Sequence, residues 1–216
     1  MDREPGSLSK PYEDAVSNLI WIKVVGIGNA NVGKTCLIKH FCESKFNSGY
    51  QPTVGVDYGF KVQEMHGVDL RVHLWDLSGA SEFFDVRNEL YSGTDAIFLV
   101  FDVTNTSSFE ALEQWQREVQ RFASGKPDIF VVGNKSDLKM KRAVTSSDGK
   151  KFCQQHKCRY FETSAATGEG VMPMFEALLQ TVLDKQNSAA PATRKPSAGV
   201  RKEEQTTDIY RRQSRS

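Results

Sequence analysis

The chain has 216 residues, and its 28 Lys and Arg residues nearly balance 27 Asp and Glu residues, giving a formal net charge of +1. This length suits one well-packed domain with tails, and the balanced charge predicts no nucleic-acid partner. The apolar runs are as long as strands and too short for a membrane helix. The four cysteines show no disulfide framework, which favours a reducing, cytoplasmic compartment.

Both ends of the chain are polar. Residues 1–18 carry two prolines, a glycine and several charges, and they predict a flexible leader. Residues 185–216 hold eight Lys and Arg residues against three acidic residues, with few large apolar side chains, and they predict a disordered basic tail. We therefore expect the folded domain over residues 19–184.

Apolar strand-like runs alternate with helix-like segments between these ends. Strands are expected near residues 20–27, 56–65, 69–76, 95–102, 128–133 and 159–162, and helices near 34–43, 83–91, 107–122, 147–156 and 170–183. The turn at residues 66–69 predicts a hairpin between the second and third strands, whereas helices separate the other strands. This order predicts an α/β fold in which a six-stranded, mostly parallel sheet with one antiparallel strand is flanked by five helices.

Residues 28–35 follow the first predicted strand and read GNANVGKT, which fits the phosphate-loop pattern G-x-x-x-x-G-K-[ST]. In such a loop the main-chain N–H groups surround a phosphate, and the dipole of the following helix adds positive charge. Lys34 would reach the outer phosphates, and the hydroxyl of Thr35 would ligate Mg²⁺. Asn31 tolerates left-handed backbone angles, so the loop can form with Asn at this position.

Two more motifs follow predicted strands. The segment WDLSG ends at Gly79, and its Asp76 would hold Mg²⁺ through water while the Gly79 N–H reaches a γ-phosphate. The segment NKSD begins at Asn134. The carboxylate of Asp137 would accept from two adjacent donors of guanine, a pair that adenine lacks, and the stem of Lys135 would lie along the base.

These motifs, together with Pro52-Thr53 and the segment ETSA at residues 162–165, resemble the Ras superfamily of small GTPases in order and spacing over about residues 19–184. The segments VDYG at residues 56–59 and FFDVRNE at residues 83–89 resemble the Rab-like branch called RJL (Rab/J-like). No His-Pro-Asp triplet of a J domain occurs, so a member without that domain is expected. The resemblance implies a P-loop small G-domain with GTP or GDP and Mg²⁺ as cofactors.

The resemblance also assigns roles to matching positions. Phe46 would pack against guanine, Thr53 in switch I (47–57) would ligate Mg²⁺ and sense the γ-phosphate, and switch II would span residues 79–91. Protein effectors are expected at both switches. The residues expected to bind GTP are Asn29, Asn31, Val32, Gly33, Lys34, Thr35, Cys36, Phe46, Tyr50, Thr53, Gly79, Asn134, Lys135, Asp137, Ser164 and Ala165. The expected metal ligands are Thr35, Thr53 and, through water, Asp76. The Ala165 N–H would donate to guanine O6.

Ala80 departs from the superfamily pattern, which usually has Gln there to orient the attacking water. A methyl group cannot hydrogen-bond water, so no catalytic residue is assigned beyond the phosphate contacts of Lys34 and Gly79. The leading interpretation is a Rab-like GTP-dependent switch with slow intrinsic hydrolysis, and the alternative is a GTP-locked scaffold that does not cycle. A P-loop kinase is disfavoured because it would leave residues 134–137 unexplained.

The C-terminal sequence contains no cysteine after Cys158, so we expect no lipid anchor and at most weak membrane contact through the basic tail. A monomer is expected. Localisation is expected to be cytoplasmic, and family analogy adds the base of a cilium or flagellum and the nucleus. The spacing of Cys153, His156 and Cys158 is not expected to bind metal, because no second pair of ligands lies elsewhere.

Overall fold

The computed structural model describes residues 20–49 and 51–188. The expected leader, Tyr50 and the tail beyond Ser188 lie outside the described residues. The strands are β1 (Ile20–Ile27), β2 (Val56–Met65), β3 (Val68–Leu77), β4 (Ala96–Asp102), β5 (Asp128–Asn134) and β6 (Arg159–Thr163). The helices are α1 (Lys34–Glu43), α2 (Phe84–Asn88), α3 (Thr106–Glu110), α4 (Leu112–Phe122), α5 (Ser146–His156) and α6 (Val171–Ser188), with 3₁₀ turns at Ser81–Phe83, Glu89–Tyr91 and Lys139–Lys141.

The strands form one sheet in the order β2-β3-β1-β4-β5-β6. The β2–β3 pair is antiparallel and the other pairs are parallel, which confirms the predicted sheet. The predicted hairpin turn is present: His66 (φ 53°) and Gly67 (φ 76°) both have positive φ. This is the backbone of a type I′ turn, whose twist matches that of the strands it joins.

Three helices differ clearly from their predicted bounds. The helix expected over residues 83–91 is an α-helix only over Phe84–Asn88, with 3₁₀ turns at Ser81–Phe83 and Glu89–Tyr91. The helix expected over residues 107–122 is interrupted at Ala111, which forms a turn between two helical stretches. The Ala111 N–H still donates to the Ser107 carbonyl, so α3 and α4 form one segment, and the described chain has the predicted five helical segments. Helix α6 continues to Ser188, five residues beyond its predicted end at 183. Residues 184–188 contain no helix breaker, and the next proline is Pro191.

Two apolar clusters cover the two faces of the sheet. One joins the sheet to α1 and α6 through residues such as Phe41 and Phe175, and the other joins it to α3, α4 and α5 through residues such as Phe101 and Phe152. Because β1 and β4 are neighbours whose following helices pack on opposite faces, a crevice opens at the carboxyl ends of these strands, where α/β proteins bind ligands. No helix in the described ranges is long and apolar enough to cross a membrane.

Candidate nucleotide site

The phosphate loop lies at the end of β1 and depends on two glycines. Gly28 and Gly33 have φ values of 132° and 99°. A Cβ on Gly28 would lie 2.2 Å from the carbonyl oxygen of Val100, and one on Gly33 would lie 2.3 Å from Nδ2 of Asn134. Asn31 adopts φ 64°, the left-handed conformation that its sequence predicted it could tolerate. Backbone geometry and close packing therefore both require glycine at the first and sixth positions of the loop.

Lys34 is the first residue of α1, and its side chain turns back over the loop. Its Nζ donates to the carbonyl oxygens of Gly28 and Asn29, both at 2.8 Å. The side chain is buried, and this desolvation lowers the pKa of Lys34 to about 8, against the opposing charge of Asp76. The structure thus holds the ammonium group within the loop that would surround a phosphate.

Thr35, Thr53 and Asp76 meet beside the loop, although they lie in three separate segments. The Thr35 and Thr53 hydroxyls are 3.0 Å apart, Thr53 Oγ1 donates to Asp76 Oδ2 at 3.1 Å, and Thr35 Oγ1 donates to the same oxygen. Asp76 is 2% exposed, and burial raises the pKa of its carboxyl group. The structure therefore brings together the three residues that the sequence predicted around Mg²⁺.

This cluster fits a magnesium ion. Adjacent ligands of an octahedral Mg²⁺ with bonds of 2.0–2.1 Å lie about 3 Å apart, which matches the spacing of the two hydroxyls. The second carboxylate oxygen, Asp76 Oδ1, is buried without a hydrogen-bond partner. Across the described ranges, no three His, Cys, Asp or Glu side chains are grouped to hold a metal, Cys153 and His156 included. A Mg²⁺ ion held by these three side chains would take its remaining ligands from water or from phosphate oxygens.

Asn134 joins the phosphate loop to the segment after β6. Its Nδ2 donates to the Val32 carbonyl at 2.8 Å, and its Oδ1 accepts from Thr163 Oγ1 and from the Ala165 N–H, both at 3.1 Å. The Ala165 N–H, expected to reach guanine O6, is therefore engaged by Asn134 in this structure. The contact with the base stays a prediction.

Asp137 and Lys135 are also held by neighbouring side chains. Ser164 Oγ donates to Asp137 Oδ1 at 2.6 Å, which fixes the orientation of the carboxylate. Lys135 has φ 66°, and its Nζ lies 2.7 Å from Asp102 Oδ2. That ion pair anchors the ammonium group, and Lys135 also lines the cavity described next.

A cavity of about 470 Å³ lies beside the phosphate loop, a volume typical of small-molecule sites. Its wall is formed by the phosphate loop and α1, by residues 46–49 and 51–54, by residues 78–80 and 82–83, and by Lys135. Phe46 lies in this wall and is 45% exposed. Asn134, Asp137, Ser164 and Ala165 do not line this cavity. Asn134 is bonded to the phosphate loop and to Ala165, and Asp137 is bonded to Ser164.

Gly79 packs directly against the phosphate loop. A Cβ on Gly79 would lie 2.3 Å from the main-chain nitrogen of Ala30 and 2.5 Å from the carbonyl oxygen of Gly28. Ala80, the next residue, lines the cavity with its methyl group. The start of switch II and the phosphate loop therefore share one close backbone contact.

Glu162 was predicted only as part of the ETSA segment, but it organises the loop around it. Arg142 makes a bidentate pair with it (both 2.8 Å), and Ser146 and Tyr160 also donate to its carboxylate. Burial alone would raise the pKa of Glu162, but these hydrogen bonds outweigh it and lower the pKa to about 2. The carboxylate thereby ties β6 to the segment that precedes α5.

Sequence reasoning also missed a buried ion pair beneath switch II. Arg87 in α2 and Glu118 in α4 are both buried, and Tyr91 donates to the same carboxylate. In the sequence, Arg87 was considered only as part of the segment FFDVRNE that resembles the RJL family. Glu118 lies three residues after Trp115, on the buried side of α4. This helical spacing was the sequence signal from which its burial could have been predicted.

The fold and the phosphate loop define a P-loop nucleotide-binding domain. The model of the Ras family matches residues 23–184, so the chain belongs to the Ras family. The chain is similar to DnaJ homolog subfamily C member 27 from Rattus norvegicus (38% identity over 192 residues, 86% of this chain and 70% of the rat protein). The Homo sapiens protein of the same name is 38% identical over 197 residues (88% and 71%), and that of Danio rerio is 36% identical over 192 residues (86% and 70%). These matches confirm the resemblance to the RJL group of Rab-like small GTPases.

Proposed function

We propose that this protein is a Rab-like switch that binds GTP and GDP with Mg²⁺ and hydrolyses GTP slowly. The observation that carries the proposal is the 3.0 Å approach of the Thr53 hydroxyl to that of Thr35. Thr53 belongs to switch I and Thr35 to the phosphate loop, so a metal bound to both would draw switch I onto the nucleotide. Loss of the γ-phosphate would release that contact, which is how a phosphate-dependent switch works.

Base selection would rest on Asp137. Ser164 holds its carboxylate in place at 2.6 Å, and a carboxylate fixed in this way accepts from the N1–H and the exocyclic amine of guanine together. Adenine offers no such pair of donors. This contact would make the protein selective for guanine nucleotides.

The residues around the outer phosphates would stabilise charge but offer little help to the attacking water. Lys34 and the Gly79 N–H would hold the outer phosphates, and bound Mg²⁺ would neutralise part of their negative charge. The methyl group of Ala80 cannot orient water. Gln51 and Glu82 line the same cavity and provide other polar groups, which favours slow turnover over none.

Apolar side chains on both switches support their use as effector surfaces. Val54 in switch I is 76% exposed, and Phe84 and Val86 in switch II are also exposed. Exposed apolar groups that change position with the nucleotide would give a partner a surface to recognise. Proteins of the Ras family generally bind effectors through these regions.

A second candidate function is a GTP-bound scaffold with negligible turnover, and the methyl group of Ala80 in the cavity wall favours it. Analysis of the nucleotide extracted from purified protein separates the two functions. GDP as the main species is the expected result for a switch, and GTP is expected for a scaffold. Adenine nucleotides, or no affinity for added GDP, would overturn guanine-nucleotide binding itself.

A further inference from the structure

Arg87 in switch II makes side-chain hydrogen bonds both to α4 and to the start of switch II. Its guanidinium donates to the Ala80 carbonyl at 2.8 Å and, from the same nitrogen, to the Ser78 carbonyl at 3.4 Å. Its other nitrogens donate to the two Glu118 oxygens at 2.6 and 3.0 Å. Arg87 thus makes four side-chain hydrogen bonds, two to Glu118 in α4 and two to the turn that carries Gly79.

Helix α4 connects this ion pair to the phosphate loop. The Arg87 guanidinium lies 4.7 Å from the centre of the Trp115 ring. The indole N–H of Trp115 donates to Asn29 Oδ1 in the phosphate loop at 2.8 Å. One surface of α4 therefore contacts both parts of the candidate site, the backbone of residues 78–80 through Arg87 and the side chain of Asn29 through Trp115.

We propose that Arg87, held by Glu118, is a positioning residue that sets the turn at residues 78–80 against the phosphate loop. This inference rests on the proposed function, because it concerns how the site distinguishes GTP from GDP. Gly79 has little space to move toward the loop, since a Cβ on it would already lie 2.3–2.5 Å from backbone atoms of residues 28–30. Arg87 supplies the opposite restraint, because its two hydrogen bonds prevent residues 78–80 from moving away.

The restraint matters for the γ-phosphate. The Gly79 N–H would contact GTP and not GDP, whereas the phosphate loop and the base contacts serve both nucleotides. Loss of Arg87 would free the turn and weaken GTP selectively. A side chain that only supported the fold would weaken both nucleotides equally.

The test removes the ion pair without leaving a buried charge. Arg87→Met alone would leave Glu118 uncompensated, so the informative variant combines Arg87→Met, Glu118→Leu and Tyr91→Phe. Apolar replacement of a whole buried ion-pair group commonly preserves stability. The measurements are urea unfolding and the affinities of fluorescent GDP and a non-hydrolysable GTP analogue, with Mg²⁺ present.

We expect the triple variant to be nearly as stable as wild type and its GDP affinity to stay within about threefold of the wild-type value. Its affinity for the GTP analogue should fall about tenfold or more, the change expected for lost hydrogen bonds from a charged donor. Arg117→Met, which breaks an exposed ion pair with Glu113 on the same helix, is the matched control and should change neither affinity. A stable triple variant with equal affinity losses for both nucleotides, or with none, would overturn the proposal.

Glu118→Gln provides a second route if the triple variant fails to fold. It removes the charge that anchors Arg87 and keeps the shape of the side chain, so the same selective loss of GTP affinity, smaller in size, supports the proposal. Equal losses overturn it. If the wild-type protein bound neither guanine nucleotide, the proposed function itself would be overturned. If the wild type bound both nucleotides and the variants showed no selective loss of GTP affinity, only the role of Arg87 would be overturned.

Discussion

Replacement of Gly79 by alanine would place a methyl carbon 2.3 Å from the Ala30 nitrogen, 2.4 Å from the Asn29 carbonyl carbon and 2.5 Å from the Gly28 oxygen. All three atoms belong to the backbone, so no side-chain rotation relieves the contact. Ordinary contacts between carbon and other heavy atoms begin near 3.4 Å, so the turn would have to move by about 1 Å. The Gly79 N–H would then lie too far from a γ-phosphate to bond it well.

This displacement predicts a selective loss. A hydrogen bond to a charged group is worth about 1.5–3 kcal/mol, so we expect GTP affinity to fall by roughly 10- to 150-fold. GDP lacks the γ-phosphate, so its affinity should stay close to the wild-type value. Titration of fluorescent GDP and of a non-hydrolysable GTP analogue measures both quantities.

Ser81→Ala is the control for this experiment, because Ser81 follows the turn and is exposed. It should leave both affinities unchanged. If Gly79→Ala bound the GTP analogue as tightly as wild type, the turn would not contact the γ-phosphate, and the steric argument would be refuted.

Three further predictions address hydrolysis, base selection and pH. Ala80→Gln should raise single-turnover GTP hydrolysis while leaving GTP affinity nearly unchanged, and no gain in the phosphate-release assay would mean that another group positions the water. Asp137→Ala should weaken GDP by roughly 2–4 kcal/mol, because two guanine donors lose their acceptor, and an unchanged titration would refute the base assignment. The lowered pKa of Glu162, about 2, means that its ion pair contributes stability above the carboxyl group's ordinary pKa of 4.5 and loses it as the pH falls toward 2. The unfolding free energy of wild type should therefore fall over this range more steeply than that of Glu162→Gln, and parallel curves in urea melts would contradict this.

The elements that were predicted well are marked by short patterns of neighbouring residues in the sequence. The phosphate loop combines fixed glycine spacing with a preceding apolar strand, and the turn at residues 66–67 places Gly where φ is positive. The order of strands and helices then leaves few ways to connect a parallel sheet. The sheet and its hairpin therefore followed from short-range patterns alone.

The contacts that were missed join residues far apart in the chain. Arg87 and Glu118 are separated by 31 positions, and charged residues in a helix usually lie on its solvated face. The hydrogen bond from the Ala165 N–H to Asn134, 31 residues earlier, was likewise not predicted. Such pairings depend on how helices and loops stack, which no local pattern encodes.

Asn134 has a kinetic consequence for nucleotide release. Its side chain bonds the phosphate loop at Val32 and the base-side segment at Thr163 and Ala165. A fluctuation that opens one end of the crevice therefore strains the hydrogen bond that holds the other. The two ends of a bound nucleotide would then be released through one shared barrier.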